Sequence, residues 1–201
     1  MPSRPLLGAL VFATALVGCA TQSAPRERPA TDPKLSLTTY IEEGNIAALV
    51  VGTRPTRYRL DRKYIPIEIA VVNKGLASLT ITPESFTLVG ADGTQYPVAG
   101  RNELSSGYGS TDVDRRLADA FRYVNNRFSS YSRQPSNLTP GFDRGVPRDH
   151  IVLPRFGYLL DFIYFPRPAD PLVDQSLELQ LRAPELEQPV FVRFAVEGAK
   201  R

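Results

Sequence analysis

The sequence predicts a mainly β chain, an antiparallel β-sandwich with a helix-containing insertion. Three observations carry that expectation. Short apolar runs alternate with period two. Turn residues separate them, and 18 prolines and 14 glycines in 201 residues mark a chain with many reversals. One stretch, 101–150, abandons the β period for a helical one.

The elements follow in order. Residues 35–41 (LSLTTYI) and 46–51 (IAALVV) read as two strands joined by the turn EEGN. Residues 64–75 (YIPIEIAVVNKG) give the clearest strand. Ile65, Ile67, Ile69 and Val71 alternate with Pro66, Glu68, Ala70 and Val72, which predicts one core face. Pro66 near its beginning fits a strand start or an edge, and Asn73-Lys74-Gly75 ends it. Residues 78–99 predict a short strand, a turn at Pro83-Glu84 and a hairpin. Phe86 and Leu88 share a side, Ala91-Asp92-Gly93 turns the chain, and Tyr96 and Val98 return. Asp-Gly between apolar runs favours a tight hairpin because both residues accept positive φ at low cost. Residues 157–165 (GYLLDFIYF) are apolar on both faces and predict a central strand. In 176–183 Leu177, Leu179 and Leu181 face inward. In 189–197 Val190, Val192, Phe194 and Val196 do so. Short strands at this spacing predict a sandwich.

The run VVNKGLASLTITPESFTLVGADGTQYPV resembles the central motif of immunoglobulin-like domains of the DUF4352 type. The matching positions are Asn73, Gly75, Phe86, Leu88, Asp92, Gly93 and Tyr96. The later LPRFGYLLDFIYFPRP resembles that group's turn and long strand, with Pro154-Arg155 where a Pro-Gly turn is usual. The resemblance spans about 35–100 and 150–197. It implies an immunoglobulin-like sandwich for the domain 35–201, interrupted at 101–150, and it implies no activity.

Within the insertion, Val113, Leu117, Ala120, Phe121, Val124 and Phe128 recur at helical spacing. Thr111 is placed to cap the start, with Asp112 and Asp114 in the first turn. The expected place for this helix is one end or edge of the sandwich. Residues 132–150 read as loop. The insertion holds eight arginines, at 101, 115, 116, 122, 127, 133, 144 and 148, and no lysine. Six acids are interspersed: Glu103, Asp112, Asp114, Asp119, Asp143 and Asp149. An ion-paired, solvated surface is the plain expectation. Arginine forks also suit carboxylate and phosphate recognition. Arg115, Arg116, Arg122, Tyr123 and Arg127 are therefore the candidate contacts for a partner or an anion, with Tyr108, Tyr123 and Tyr131 as stacking surface.

The amino terminus reads as an export signal. Arg4 and the α-amino group precede the apolar run 6–17, which is too short for a bilayer core of ~30 Å. Leu16-Val17-Gly18-Cys19 resembles the lipobox of bacterial lipoproteins, and Cys19 is the chain's only cysteine. The resemblance implies cleavage of 1–18 and a diacylglycerol on the Cys19 thiol. It implies outer-membrane sorting, at the periplasmic face, because Ala20 rather than aspartate follows. Two or more acyl chains hold a protein stably at a membrane. Residues 19–34 then form a Pro-rich linker, reaching roughly 45 Å if extended at ~3.1 Å per residue.

Other chemistry finds few residues. A charge of +3, from 24 basic and 21 acidic residues, gives no footprint for nucleic acid. One cysteine allows no internal disulfide. One histidine, His150, sits outside any nucleophile elbow, and no metal or cofactor motif is present. Asp161, inside LLDFIYF, is the one acid whose setting suggests a perturbed carboxyl, as a carboxylate hydrolase would need. It is also expected to face outward or pair with arginine. The sequence therefore predicts a membrane-anchored envelope protein that is not an enzyme. Its expected role is binding or assembling a protein partner, with an anionic envelope lipid or glycan as the alternative ligand and a hydrolase third.

Overall fold

The computed structural model describes residues 34–109, 111–138, 148–168 and 172–197. Leu16, Val17, Gly18 and Cys19, the linker up to residue 33, and 139–147 of the insertion lie outside the described residues.

The strands are β1 (Lys34–Ser36), β2 (Thr39–Glu43), β3 (Ala47–Gly52), β4 (Tyr64–Asn73), β5 (Ser78–Ile81), β6 (Phe86–Val89), β7 (Gln95–Pro97), β8 (Ser132–Arg133), β9 (Ile151–Pro154), β10 (Gly157–Pro166), β11 (Ser176–Leu181) and β12 (Val190–Ala195). The helices are α1 (Arg54–Arg57), α2 (Arg101–Gly107), α3 (Asp112–Leu117) and α4 (Ala120–Arg127). One sheet runs β1-β2-β3-β4-β10-β8, a second β12-β11-β6-β7, and β5 pairs β9. Pairings between these strands are antiparallel except β10 with β8, which is parallel over two residue pairs.

The inward alternation builds one apolar core between the two large sheets. Leu49, Val51, Ile65, Ile67, Ile69 and Val71 meet Phe86, Leu88, Leu177, Leu179, Val192 and Phe194 there. The hairpin at Asp92-Gly93 forms as expected. Gly93 has φ +84°, the Gly90 amide donates to Thr94 O at 2.8 Å, and Asp92 accepts from Thr94. A 3₁₀ turn covers Pro83–Ser85.

Three expectations change. The run 35–41 is two strands, not one. The chain reverses at Leu37 and Thr38, where Ser36 Oγ accepts the Thr38 amide and Leu37 is exposed. Next, β4 is buried on both faces, with all ten residues inaccessible. Its even face, Tyr64, Ala70 and Val72, belongs to further apolar clusters on the outer side of the sheet. Pro66 is tolerated in this central strand because β3 pairs with β4 only as far as Gly52 opposite Glu68. Past that point the Pro66 carbonyl accepts from Thr56 Oγ1 of α1 instead.

The third change concerns what covers the outer face. The insertion lies on the face of the six-stranded sheet, not on an end or edge of the domain. Ala120, Val124 and Phe128, spaced at 3.6-residue period, pack on Val50, Ala70, Val72 and Leu160. Leu104 and Tyr108 pack on Tyr64, Phe162 and Tyr164. The helical stripe read from 113 to 128 is also interrupted. Ala118, at φ −57° and ψ 133°, leaves the helical region and separates α3 from α4.

Candidate functional site

The sequence points to the insertion, and its geometry begins with how it is held. Glu68 lies on β4, fully buried beneath the start of α4. Its Oε2 accepts the Asp119 amide at 3.2 Å and its Oε1 accepts the Phe121 amide at 3.1 Å. A strand carboxylate thus caps the helix; the residue at the cap position, Asp119, makes no side-chain capping bond. Burial pushes the Glu68 carboxyl up to about 7, against the opposing pull of the Phe121, Asp119 and Ala120 amides. Gly52 opposite makes room for it. A Cβ at Gly52 would collide with Glu68 Oε2 and stand 2.9 Å from the Ala120 Cβ.

A second buried centre ties α3 to the sheet. Asp114 is 0 % exposed. Its Oδ1 accepts Arg59 Nε at 2.8 Å, and its Oδ2 accepts Tyr108 OH at 2.8 Å and Tyr164 OH at 3.1 Å. The two tyrosine rings meet edge to face at 4.7 Å. Burial drives both phenols well above their usual range, with the Asp114 charge adding to it. Burial opposes the Arg59 charge, but the Asp114 bond and charge, with Tyr108 and Tyr164, together outweigh it and the guanidinium titrates above its ordinary value. Asp114, expected in a solvated first turn, is therefore an internal counter-ion. Tyr108, expected as stacking surface, is 2 % exposed and belongs to the packing.

The five candidate contacts have different surroundings. Arg127 is held by Glu43, with Nε at 2.7 Å from Oε2, and Glu43 also accepts from Lys74 at 2.9 Å. Arg116 and Arg122 are exposed, and the Arg122 guanidinium lies 5.4 Å from the centre of the half-buried Tyr123 ring. Arg115 turns elsewhere. It lines a cleft of about 550 Å³ along β10, together with Arg133, Ser136, Phe121 and Phe162. Arg133 is exposed and makes no ion pair among the described residues.

Asp161 lies at that cleft and departs from the outward-facing expectation. It is 4 % exposed, with Oδ2 accepting the Leu138 amide and Oδ1 accepting the Phe162 amide, each at 2.8 Å. The Phe162 amide belongs to the side of β10 that β8 leaves open after two residues. Asp161 therefore closes an unpaired strand edge against another chain. His150 is exposed just before β9.

Sequence reasoning missed Glu68, Asp114, Gly52 and Arg133 in these roles. Glu68 carried a signal: it is a lone charge in the run Ile65–Val72 whose even positions are otherwise apolar or proline. Comparison with known proteins finds no matching family model, no matching curated protein and no matching solved structure. Among the described residues no group of three or more acids, histidines or cysteines is placed to hold a metal ion, and no helix is long and apolar enough to cross a membrane.

Proposed function

We propose that this chain is a lipid-anchored protein of the bacterial envelope, sorted to the periplasmic face of the outer membrane. Its immunoglobulin-like domain acts as a non-catalytic module that binds or assembles a protein partner. The lipobox-like Leu16-Val17-Gly18-Cys19 supports the anchor, and the Pro-rich segment after it supports a tether.

One observation carries the docking reading. The insertion is a firmly seated layer with an unburied outer side. Ala120, Val124, Phe128 and the Glu68 cap fix α4 from below, while Arg116, Arg122 and Tyr123 stay accessible above. A surface held in place before binding loses little freedom on association, and arginine and tyrosine recur at interface hot spots. Asp161 supports the non-catalytic reading, since both its oxygens already accept backbone amides.

The test is crosslinking in intact cells with three forms: the native chain, Cys19→Ala, and the triple variant Arg116→Ala, Arg122→Ala, Tyr123→Ala. Cys19→Ala should move the protein out of the membrane fraction. The triple variant should stay there and lose its specific crosslinks. Unchanged crosslinks in a folded triple variant would remove this surface from the reading. Membrane association of Cys19→Ala would remove the anchor. Crosslinks to no protein, together with binding that falls steeply with salt, would favour the anionic lipid or glycan instead.

A further inference from the structure

The cleft beside β10 carries an inference independent of the anchor and of the docking face. Its volume of about 550 Å³ falls within the range of small-ligand sites, roughly 300–1,000 Å³. Its walls are of two kinds. Phe121, Leu160, Phe162 and Pro135 supply an apolar floor, and Phe121 meets Phe162 edge to face at 5.5 Å. Arg115 and Arg133 supply the charge, one from α3 and the other from β8.

Two further polar groups along the cleft, Asp161 and Ser136, are hydrogen-bonded within the chain. Asp161 directs one oxygen to the Leu138 amide and the other to the Phe162 amide. Ser136 Oγ donates to the Leu160 carbonyl. Two guanidinium groups, of which Arg133 is exposed, stand along the cleft with one amide-bound carboxylate, over an aromatic and aliphatic floor. From this geometry we propose that the cleft binds a small amphiphile with one anionic group, a carboxylate or a phosphate. Arg133 is the principal contact for that group, Arg115 assists it, and the apolar body lies on Phe121 and Phe162. Arginine forks match both oxyanions bidentately, so the head group is fixed as an anion of this shape.

The probe is 8-anilinonaphthalene-1-sulfonate, an anion on an aromatic body, titrated by fluorescence into the full chain. Its neutral relative N-phenyl-1-naphthylamine is the control. Saturable binding at one site per chain is expected, with the neutral probe at least tenfold weaker. Arg133→Gln should weaken the anionic probe about tenfold or more and leave the neutral one unchanged. Arg115→Gln should act in the same direction. Displacement by decanoate would assign the carboxylate class, and displacement by decyl phosphate the phosphate class. Amide shifts in an NMR titration should centre on Leu160 and Phe162, which keeps the proposal testable if Arg115→Gln misfolds. Unsaturable binding, native affinity in Arg133→Gln, displacement by neither competitor, or shifts centred elsewhere would each overturn it. The triple variant of the docking face should bind the probe normally, so the two readings fail separately.

Discussion

Glu68 gives the sharpest expectation. Its carboxyl titrates near 7 in the folded chain because burial disfavours the charge more than the amides of Phe121, Asp119 and Ala120 favour it. The ordinary value in an unfolded chain is 4.5. Between those values the folded state binds a proton that the unfolded state has released. Folding stability from this group is thus fully present below about pH 4.5 and is lost as pH rises through about 7. A tenfold change in proton affinity is worth about 1.4 kcal/mol, so the swing is on the order of 3 kcal/mol. Glu68→Gln imitates the neutral form in size and hydrogen bonding. The stability difference between the Glu68→Gln variant and the native chain is measured by urea unfolding with circular dichroism. It should rise in favour of the variant by about 3 kcal/mol between roughly pH 4.5 and pH 7.5. All other titrating groups cancel in that difference. A flat difference would mean that Glu68 keeps its ordinary value. A difference running the other way would mean that the amides outweigh burial, and the account of the α4 cap would be wrong.

Four further substitutions probe the buried polar contacts and the packing around them. Gly52→Ala places a Cβ against Glu68 and Ala120 and should destabilise by about 1–3 kcal/mol, seen as a lower thermal midpoint. Asp114→Ala leaves the Arg59 guanidinium buried without its counter-ion and should cost about 3–5 kcal/mol in urea unfolding, whereas Tyr164→Phe, removing one hydroxyl from the same carboxylate, should cost about 1 kcal/mol. Asp161→Asn leaves one of the two amides it serves without an acceptor and should cost about 1–3 kcal/mol, read by urea unfolding.

The legible parts of the fold are those where one face meets the core and the other meets water. Leu177, Leu179 and Leu181 on β11, and Val192, Phe194 and Val196 around β12, alternate cleanly because among the described residues no second apolar cluster covers their outer side. β4 hid its second face for the opposite reason. Ala70 and Val72 look like weak outward residues until α4 is placed on them, and the spacing of Ala120, Val124 and Phe128 shows that a face is buried but not against what. The reversal at Leu37-Thr38 was hidden because no glycine or proline marks it. Charges were the least legible. Asp114 has the sequence context of a first-turn acid, and its partners Arg59 and Tyr164 stand 55 and 50 positions away. No local pattern encodes a pairing at that separation.

That separation also decides how the arginines of the insertion divide. Composition presents them as one basic set. The fold gives Arg127 to Glu43 at the surface of the sheet, directs Arg115 into the cleft with Arg133, and leaves Arg116 and Arg122 on the outer side of the layer. A single anion spanning all of them would have to reach from the cleft lined by Arg115 and Arg133 to the exposed Arg116 and Arg122 and on to Arg127 at Glu43. Two separate uses fit the geometry better: a broad accessible face suited to a protein, and a narrow apolar-floored cleft suited to one small amphiphile. The substitutions at Arg116 and Arg122 and those at Arg133 and Arg115 should therefore have independent effects. If instead either pair abolished both crosslinking and probe binding in folded protein, the two surfaces would be one coupled site, and the division drawn from the positions of these side chains would fail.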